Sequence, residues 1–137
     1  MEMFKEVQFV KTTHVSRVPF ETYYNANKQD CCLQGYVLAT YNELVELFGQ
    51  PDEPCDKITN SWNIQMRFSN ATSRAVSYMT VVSEIYDYKE DLSDGDRDRK
   101  EIWHIGGSSE MNVTAVGEVL GRAVYKDFSQ AYEAWKH

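Results

Sequence analysis

The sequence is short of the residues that cross-link or stiffen a chain. Among 137 residues there are 3 cysteines, 3 prolines and 7 glycines. Cys31, Cys32 and Cys55 are odd in number and two are adjacent, so the thiols read as free, in a reducing compartment. They also lack zinc spacing. Cys31-Cys32 forms no Cys-x-x-Cys clamp, and His14, His104 and His137 stand at no metal-ligand interval. Neither metal nor cofactor is expected. No apolar run approaches the roughly 20 residues that span a bilayer. Met1-Glu2-Met3-Phe4-Lys5 opens no signal-type block, so no membrane association is expected. Positive charge is also scarce. The 14 Lys and Arg against 21 Asp and Glu leave −7, which argues against general binding along a phosphate backbone.

What is present fits one domain, commonly roughly 100–150 residues. The mix of 42% hydrophobic, 13% aromatic and 26% charged residues is an ordinary globular one. Residues 1–30 stand apart as a terminal strand or arm region, and 31–137 form the domain proper. In the arm, short apolar groups suggest one or two strands broken near Pro19. Tyr23-Tyr24-Asn25-Ala26-Asn27-Lys28 reads as a loop with exposed aromatics, suited to packing on a neighbouring subunit.

Tyr36-Val37-Leu38-Ala39 is a buried strand, and Thr40-Tyr41-Asn42-Glu43 is a capping box. It opens a helix over about 41–48, ended by Gly49 and kept closed by Pro51. The period then changes to two. Trp62, Ile64, Met66 and Phe68 alternate with polar residues, and a second strand over about 75–88 completes a hairpin around the turn Asn70-Ala71-Thr72-Ser73. Residues 87–101 form a charged loop with seven acids and four bases. Its stretch Glu90–Glu101 partly imitates a calcium loop, but Leu92 occupies a ligand position, so a solvated loop is expected. Ile102-Trp103-His104-Ile105 is a further strand. A helical stripe of Val113, Val116, Leu120 and Val124 follows, and Phe128, Ala131, Tyr132 and Trp135 mark a last helix. The expected fold class is α+β: one antiparallel sheet, a short helix after Ala39, and one or two C-terminal helices, the helices on one face.

The run from Gly35 to Pro51 resembles the opening of a group of small proteins from phages, prophages and large DNA viruses. The resemblance continues through Asp56-Lys57, Trp62-Asn63-Ile64, Tyr86-Asp87-Tyr88-Lys89 and Trp103-His104-Ile105-Gly106-Gly107, and covers about residues 35–107. It implies a viral accessory protein in the cytoplasm of an infected cell or in the virion, and it assigns no chemistry. The helix with Phe-Gly-x-Pro followed by a hairpin also looks like the helix-hairpin unit of outer-membrane assembly lipoproteins and β-lactamase inhibitor proteins. That likeness concerns fold alone.

The candidate ligand-binding residues centre on His104, Gly106, Gly107, Ser108 and Ser109. Two glycines and two hydroxyls leading into a helix can present backbone amides to an anion. The same residues also make a strand end, a turn and a serine cap. Arg67 and Arg74 are candidate phosphate partners for a small nucleotide. Trp62, Tyr78, Tyr86, Tyr88 and Trp103 could stack a base or simply form the core. A hydrolase built on His104 with Asp87 or Cys55 has no local motif behind it, so an enzyme is not expected. The function expected is binding of a host or viral protein, with self-association as a further possibility. The alternatives are a virion or assembly component and a nucleotide-binding anti-defence protein.

Overall fold

A computed structural model of the chain describes residues 11–28, 32–71 and 76–137. Its six strands are β1 (Lys11–Arg17), β2 (Cys32–Thr40), β3 (Ser61–Ala71), β4 (Val76–Tyr86), β5 (Lys100–Gly107) and β6 (Val124–Tyr125). They form one sheet in the order β1-β3-β4-β5-β2-β6, antiparallel at every pairing. Four helices are described: α1 (Phe20–Ala26), α2 (Tyr41–Phe48), α3 (Glu110–Leu120) and α4 (Phe128–Lys136). This is an α+β domain, as the two periods in the sequence predict.

One sheet face is a dry core. Val37 and Ala39 of β2, Ile64 and Met66 of β3, Ile85 of β4 and Ile105 of β5 are buried there together. Leu44 and Phe48 of α2 and Val113 and Val116 of α3 cover them. Burial of each such side chain stabilises by about 1.5–3 kcal/mol relative to exposure. Trp62 and Trp103 meet edge to face in this layer, ring centroids 5.4 Å apart. Their indole N–H groups donate to the carbonyls of Gly49 at 2.8 Å and Ala39 at 3.0 Å. The two tryptophans thereby clamp both ends of α2.

The capping box forms as read. The Thr40 hydroxyl accepts from the Glu43 N–H at 3.0 Å, and Glu43 accepts from the Thr40 N–H at 2.7 Å. Arg122 then grips Glu43 through both guanidinium Nη atoms, at 2.7 and 3.0 Å, and donates to the Leu38 carbonyl. That contact holds the Glu43 carboxyl below the usual carboxylate range and ties the end of α3 to the start of α2.

Three expectations need correction. The helices lie on both faces, because β2 and β4 are apolar at consecutive positions. Val37 and Ile85 face α2 and α3, whereas Tyr36 and Tyr86 face the other way. On that second face α1 covers β3 and β4, while Phe128 of α4 meets the Tyr36 ring at 5.6 Å. Next, the stretch after Pro19 is a helix and not a loop, and Tyr23 is buried within the same chain. Pro19 sits at the N-cap, where its missing N–H costs nothing. Residues 1–10 and 29–30 of the arm lie outside the described residues, as do Thr72 and Ser73 of the expected turn, whose Asn70 and Ala71 instead extend β3. The stripe from Val113 to Val124 is also not continuous. Gly121 takes a left-handed conformation at φ +65° and ends α3, so Val124 falls in β6 and packs back on Gly117.

Candidate functional site

The second face carries a row of rings across three strands. His104 on β5 has Tyr36 of β2 on one side and Tyr86 of β4 on the other. Both tyrosines stand edge-on to the imidazole at 5.1 Å between centroids, and Tyr88 lies over it at 6.1 Å. His104 is half-buried. Desolvation holds its pKa below the ordinary histidine value, against the opposing pull of the Asp87 charge. The imidazole is therefore neutral at neutral pH. Burial likewise pushes the Tyr36 and Tyr86 hydroxyls above their usual range, so neither ionises.

Beside this row lies an open cleft of about 200 Å³, between β5, α4 and the charged loop. His104, Ile102 and Leu92 form its floor, Phe128, Tyr132 and Trp135 one wall, and Glu90, Arg99 and Glu101 the rim. Phe128, Tyr132 and Trp135 recur at helical spacing, so α4 presents them as one stripe. Only Ala131 of that helix is fully buried. Phe128 is 52% exposed and Tyr132 43%, which leaves much of this ring surface uncovered. The Trp135 indole donates to the Lys100 carbonyl at 2.7 Å, fixing α4 on the sheet, and Arg99 lies over the same indole at 5.2 Å.

The glycine-serine turn faces elsewhere. A Cβ on Gly107 would overlap the Asn112 carboxamide, and one on Gly106 would meet the Tyr23 hydroxyl. The glycines are therefore needed for close packing. Asn112 Oδ1 accepts from the Ser108 N–H at 3.1 Å and the Ser109 N–H at 3.2 Å. The Ser109 hydroxyl accepts from the Met111 N–H, and the Ser108 hydroxyl donates to Asn27 Oδ1. The amides suited to an anion are thus engaged in a capping box. Ser108 and Ser109 line a different hollow, of about 400 Å³, with Asn27, Thr80 and Asn112.

The remaining candidates are dispersed. Arg67 lies exposed on β3 with its guanidinium 4.1 Å from the Tyr78 ring centroid, and lines neither the His104 cleft nor the serine hollow. Arg74 lies outside the described residues. Cys55 sits exposed in the turn closed by the Cys55–Ile58 bridge. Asp87 is fully buried, and its two oxygens accept from the N–H groups of Thr59, Asn60 and Leu92 and from the Asn60 side chain, at 2.8–3.1 Å. Those oxygens knot the charged loop to the 59–60 turn. Trp62 and Trp103 belong to the dry core, while Tyr86 lies on the opposite face and Tyr78 and Tyr88 are exposed. These five rings share no single surface.

Sequence reasoning missed the wall of the cleft. Phe128, Tyr132 and Trp135 were visible as an apolar stripe, but nothing local showed that most of it stays uncovered. Among the described residues, no three His, Cys, Asp or Glu side chains converge as a metal-ligand set, and no helix is long and apolar enough to cross a membrane. No family model, curated protein or solved structure matches the chain.

Proposed function

We propose that the chain is a non-catalytic accessory protein of the phage and large-DNA-virus kind that binds a protein partner through the aromatic cleft beside His104. The observation that carries this reading is the pair of exposed rings Phe128 and Tyr132 on α4, with Arg99 at the rim and Tyr88 of the charged loop over His104. Aromatic residues and arginine dominate the energetics of protein interfaces, because they bury much area while losing few rotamers. The occupant is an apolar or aromatic side chain of the partner. It enters between Phe128 and His104, with polar groups meeting Glu90, Arg99 and Glu101 at the rim. Among the described residues, the groups around His104 are engaged in packing and in structural hydrogen bonds. Its edge-on neighbours Tyr36 and Tyr86 have pKa values raised by burial, and the Asp87 carboxylate is occupied by amides.

The test is affinity purification of the tagged chain from infected cells, in parallel with the double variant Phe128→Ser, Tyr132→Ser. A partner recovered by the wild type is then titrated as a purified protein. The double variant is expected to bind about tenfold or more weakly. Its melting temperature should fall by only a few degrees, since both rings are about half exposed. Equal recovery of the same proteins by both forms would sink the proposal.

A further inference from the structure

We propose that a second cleft on the same sheet face, at the start of α1, binds an organic cation of the guanidinium or primary-ammonium class, with Glu84 as its anionic anchor. The cleft has a volume of about 400 Å³ and is lined by Phe20, Asp52, Ser61, Asn63 and Glu84, with Glu53 and Cys55 at its edge. This reading is independent of the aromatic cleft and shares no residue with it.

Glu84 is the anomaly. It is only 7% exposed, yet among the described residues its carboxyl has neither a hydrogen bond nor an ion pair. Its register partner on β3 is Asn63, which is 2% exposed. The Asn63 amide donates to Asp52 at 3.0 Å, but its Oδ1 is enclosed with no donor. Among the described residues, neighbouring strands therefore hold an enclosed acceptor without a donor, Asn63 Oδ1, beside a carboxyl that no donor reaches. Buried polar groups without partners are costly and uncommon, and they cluster where a ligand supplies the missing contact.

The surroundings select the sign of that ligand. Asp52, Glu53 and Glu84 make the field negative, which excludes phosphates and carboxylates. Among the described residues, the cation nearby is Arg17, whose Nη groups are committed to the carbonyls of Phe48 and Gln50 and to Asp52 at 2.6–2.7 Å, while its Nε is enclosed without an acceptor. A metal ion would need more ligands than converge there. A guanidinium or ammonium group instead brings several N–H donors and one delocalised or compact charge. Phe20, 53% exposed, offers a ring face for the cation or its aliphatic stem.

The same chemistry can arrive on a free amine or on an arginine or lysine of a polypeptide, and the experiment separates the two. Agmatine and an acetylated, amidated Gly-Arg-Gly peptide are titrated calorimetrically into the full chain and into Glu84→Gln, at about pH 8, where the carboxyl is ionised. Binding by the wild type and a loss of about tenfold or more in Glu84→Gln are expected, the size of one charge-assisted contact. Preference for agmatine assigns the site to a free amine, and preference for the peptide assigns it to a side chain. Affinity should fall at about pH 6, because burial and the neighbouring Asp52 push the Glu84 carboxyl up to about 7. The charged and titratable groups facing it are Asp52, Glu53 and Cys55 from the 49–60 segment, Arg17 from β1, Tyr86 from β4 and Tyr23 from α1. No heat of binding for either probe up to about 10 mM, or equal affinity in Glu84→Gln, would overturn the proposal. A measurement without a variant stands beside it. The ¹³C resonance of the Glu84 carboxyl should titrate at lower pH when agmatine is present, and an unchanged titration would also overturn it.

Discussion

Glu84 and Asp87 are buried carboxyls a few residues apart, at and just beyond the end of β4, and the chain treats them in opposite ways. Asp87 is 1% exposed and surrounded by four N–H donors. Glu84 is 7% exposed and, among the described residues, receives none. Burial alone thus says little about what an acid is for. A carboxylate whose lone pairs are filled by backbone amides is a structural tie, since those amides would otherwise be orphaned. The Glu84 carboxyl instead lines an open cleft, where the proposed partner is a cation from outside the chain. The adjoining loop shows how much the first kind organises. Asn60 bridges Asp87 and Asp91, and the Asp91 oxygen in turn receives the Ser93 N–H and hydroxyl. That network orders a stretch whose composition alone reads as solvated and loose.

The largest effect that could break this contrast is the loss of Asp87. Asp87→Ala would strand the N–H groups of Thr59, Asn60 and Leu92 in the interior. It is expected to cost about 3–5 kcal/mol, the range for breaking a buried charged hydrogen-bond network. In a domain of this size the melting temperature should fall by roughly 10–20 °C. A fall of less than about 3 °C, equivalent to under ~1 kcal/mol, would show that water replaces the carboxylate and that the knot is not structural.

Glu84→Gln should move stability the other way. In the unfolded chain this carboxyl ionises near 4.5, whereas in the fold it stays protonated up to about 7. Between those values the native state holds the extra proton, so its contribution is complete below pH 4.5 and is lost as pH rises through 7. At about 1.36 kcal/mol per unit, the loss is at most about 3 kcal/mol. The glutamine variant lacks this slope and should be about 1–3 kcal/mol more stable than wild type at about pH 8. Urea melts between about pH 4 and pH 8 read both quantities. A Glu84→Gln protein less stable than wild type at the upper end would mean that the ionised carboxylate has a partner in the fold.

Neither role was legible in the sequence, and the reasons differ. Asp87 lies in the Tyr86-Asp87-Tyr88-Lys89 segment that carries the family resemblance, but its four donors come from residues 59–60 and 92, which only the fold brings together. Glu84 stands on the same face of its strand as Val82 and Tyr86, so alternation marks it as an acid in an apolar row and assigns it no role. It is enclosed because α1 closes that side, and α1 itself was read as a loop. A helix of seven residues with paired tyrosines has little intrinsic propensity. It is held by Tyr23 buried against Gly106 and by Asn27, whose side chain donates to the Val82 carbonyl at 3.0 Å. By contrast, α2 and the β3–β4 hairpin were readable because their signals are local: a capping box, a glycine stop and an unbroken alternation. His104 was found as a residue of interest, but its cleft was not. The wall comes from α4, and the Ser108–Ser109 turn that follows His104 in sequence lines a separate hollow beside α1 and Asn112.

The smallest expected effect concerns His104, and it sharpens the comparison because its sign opposes that of Glu84. Its folded pKa is lowered by burial, so the native state disfavours the charged ring. The contribution is complete above the unfolded value of 6.5 and is lost as pH falls through the lower folded value. In the wild type this rise of stability with pH overlaps the fall due to Glu84, and the two partly cancel in the mildly acidic range. Removing Glu84 exposes it. Glu84→Gln should therefore show stability increasing toward pH 6.5, and the further substitution His104→Phe, which keeps a ring between Tyr36 and Tyr86, should flatten that residual slope. Glu43, whose carboxyl is held down by Arg122, acts below 4.5, whereas Glu101, raised by burial, adds a fall of the same sign as that of Glu84 in either background. If the slope persists in the double variant, another group titrates there and the imidazole is not what the folded state resists charging.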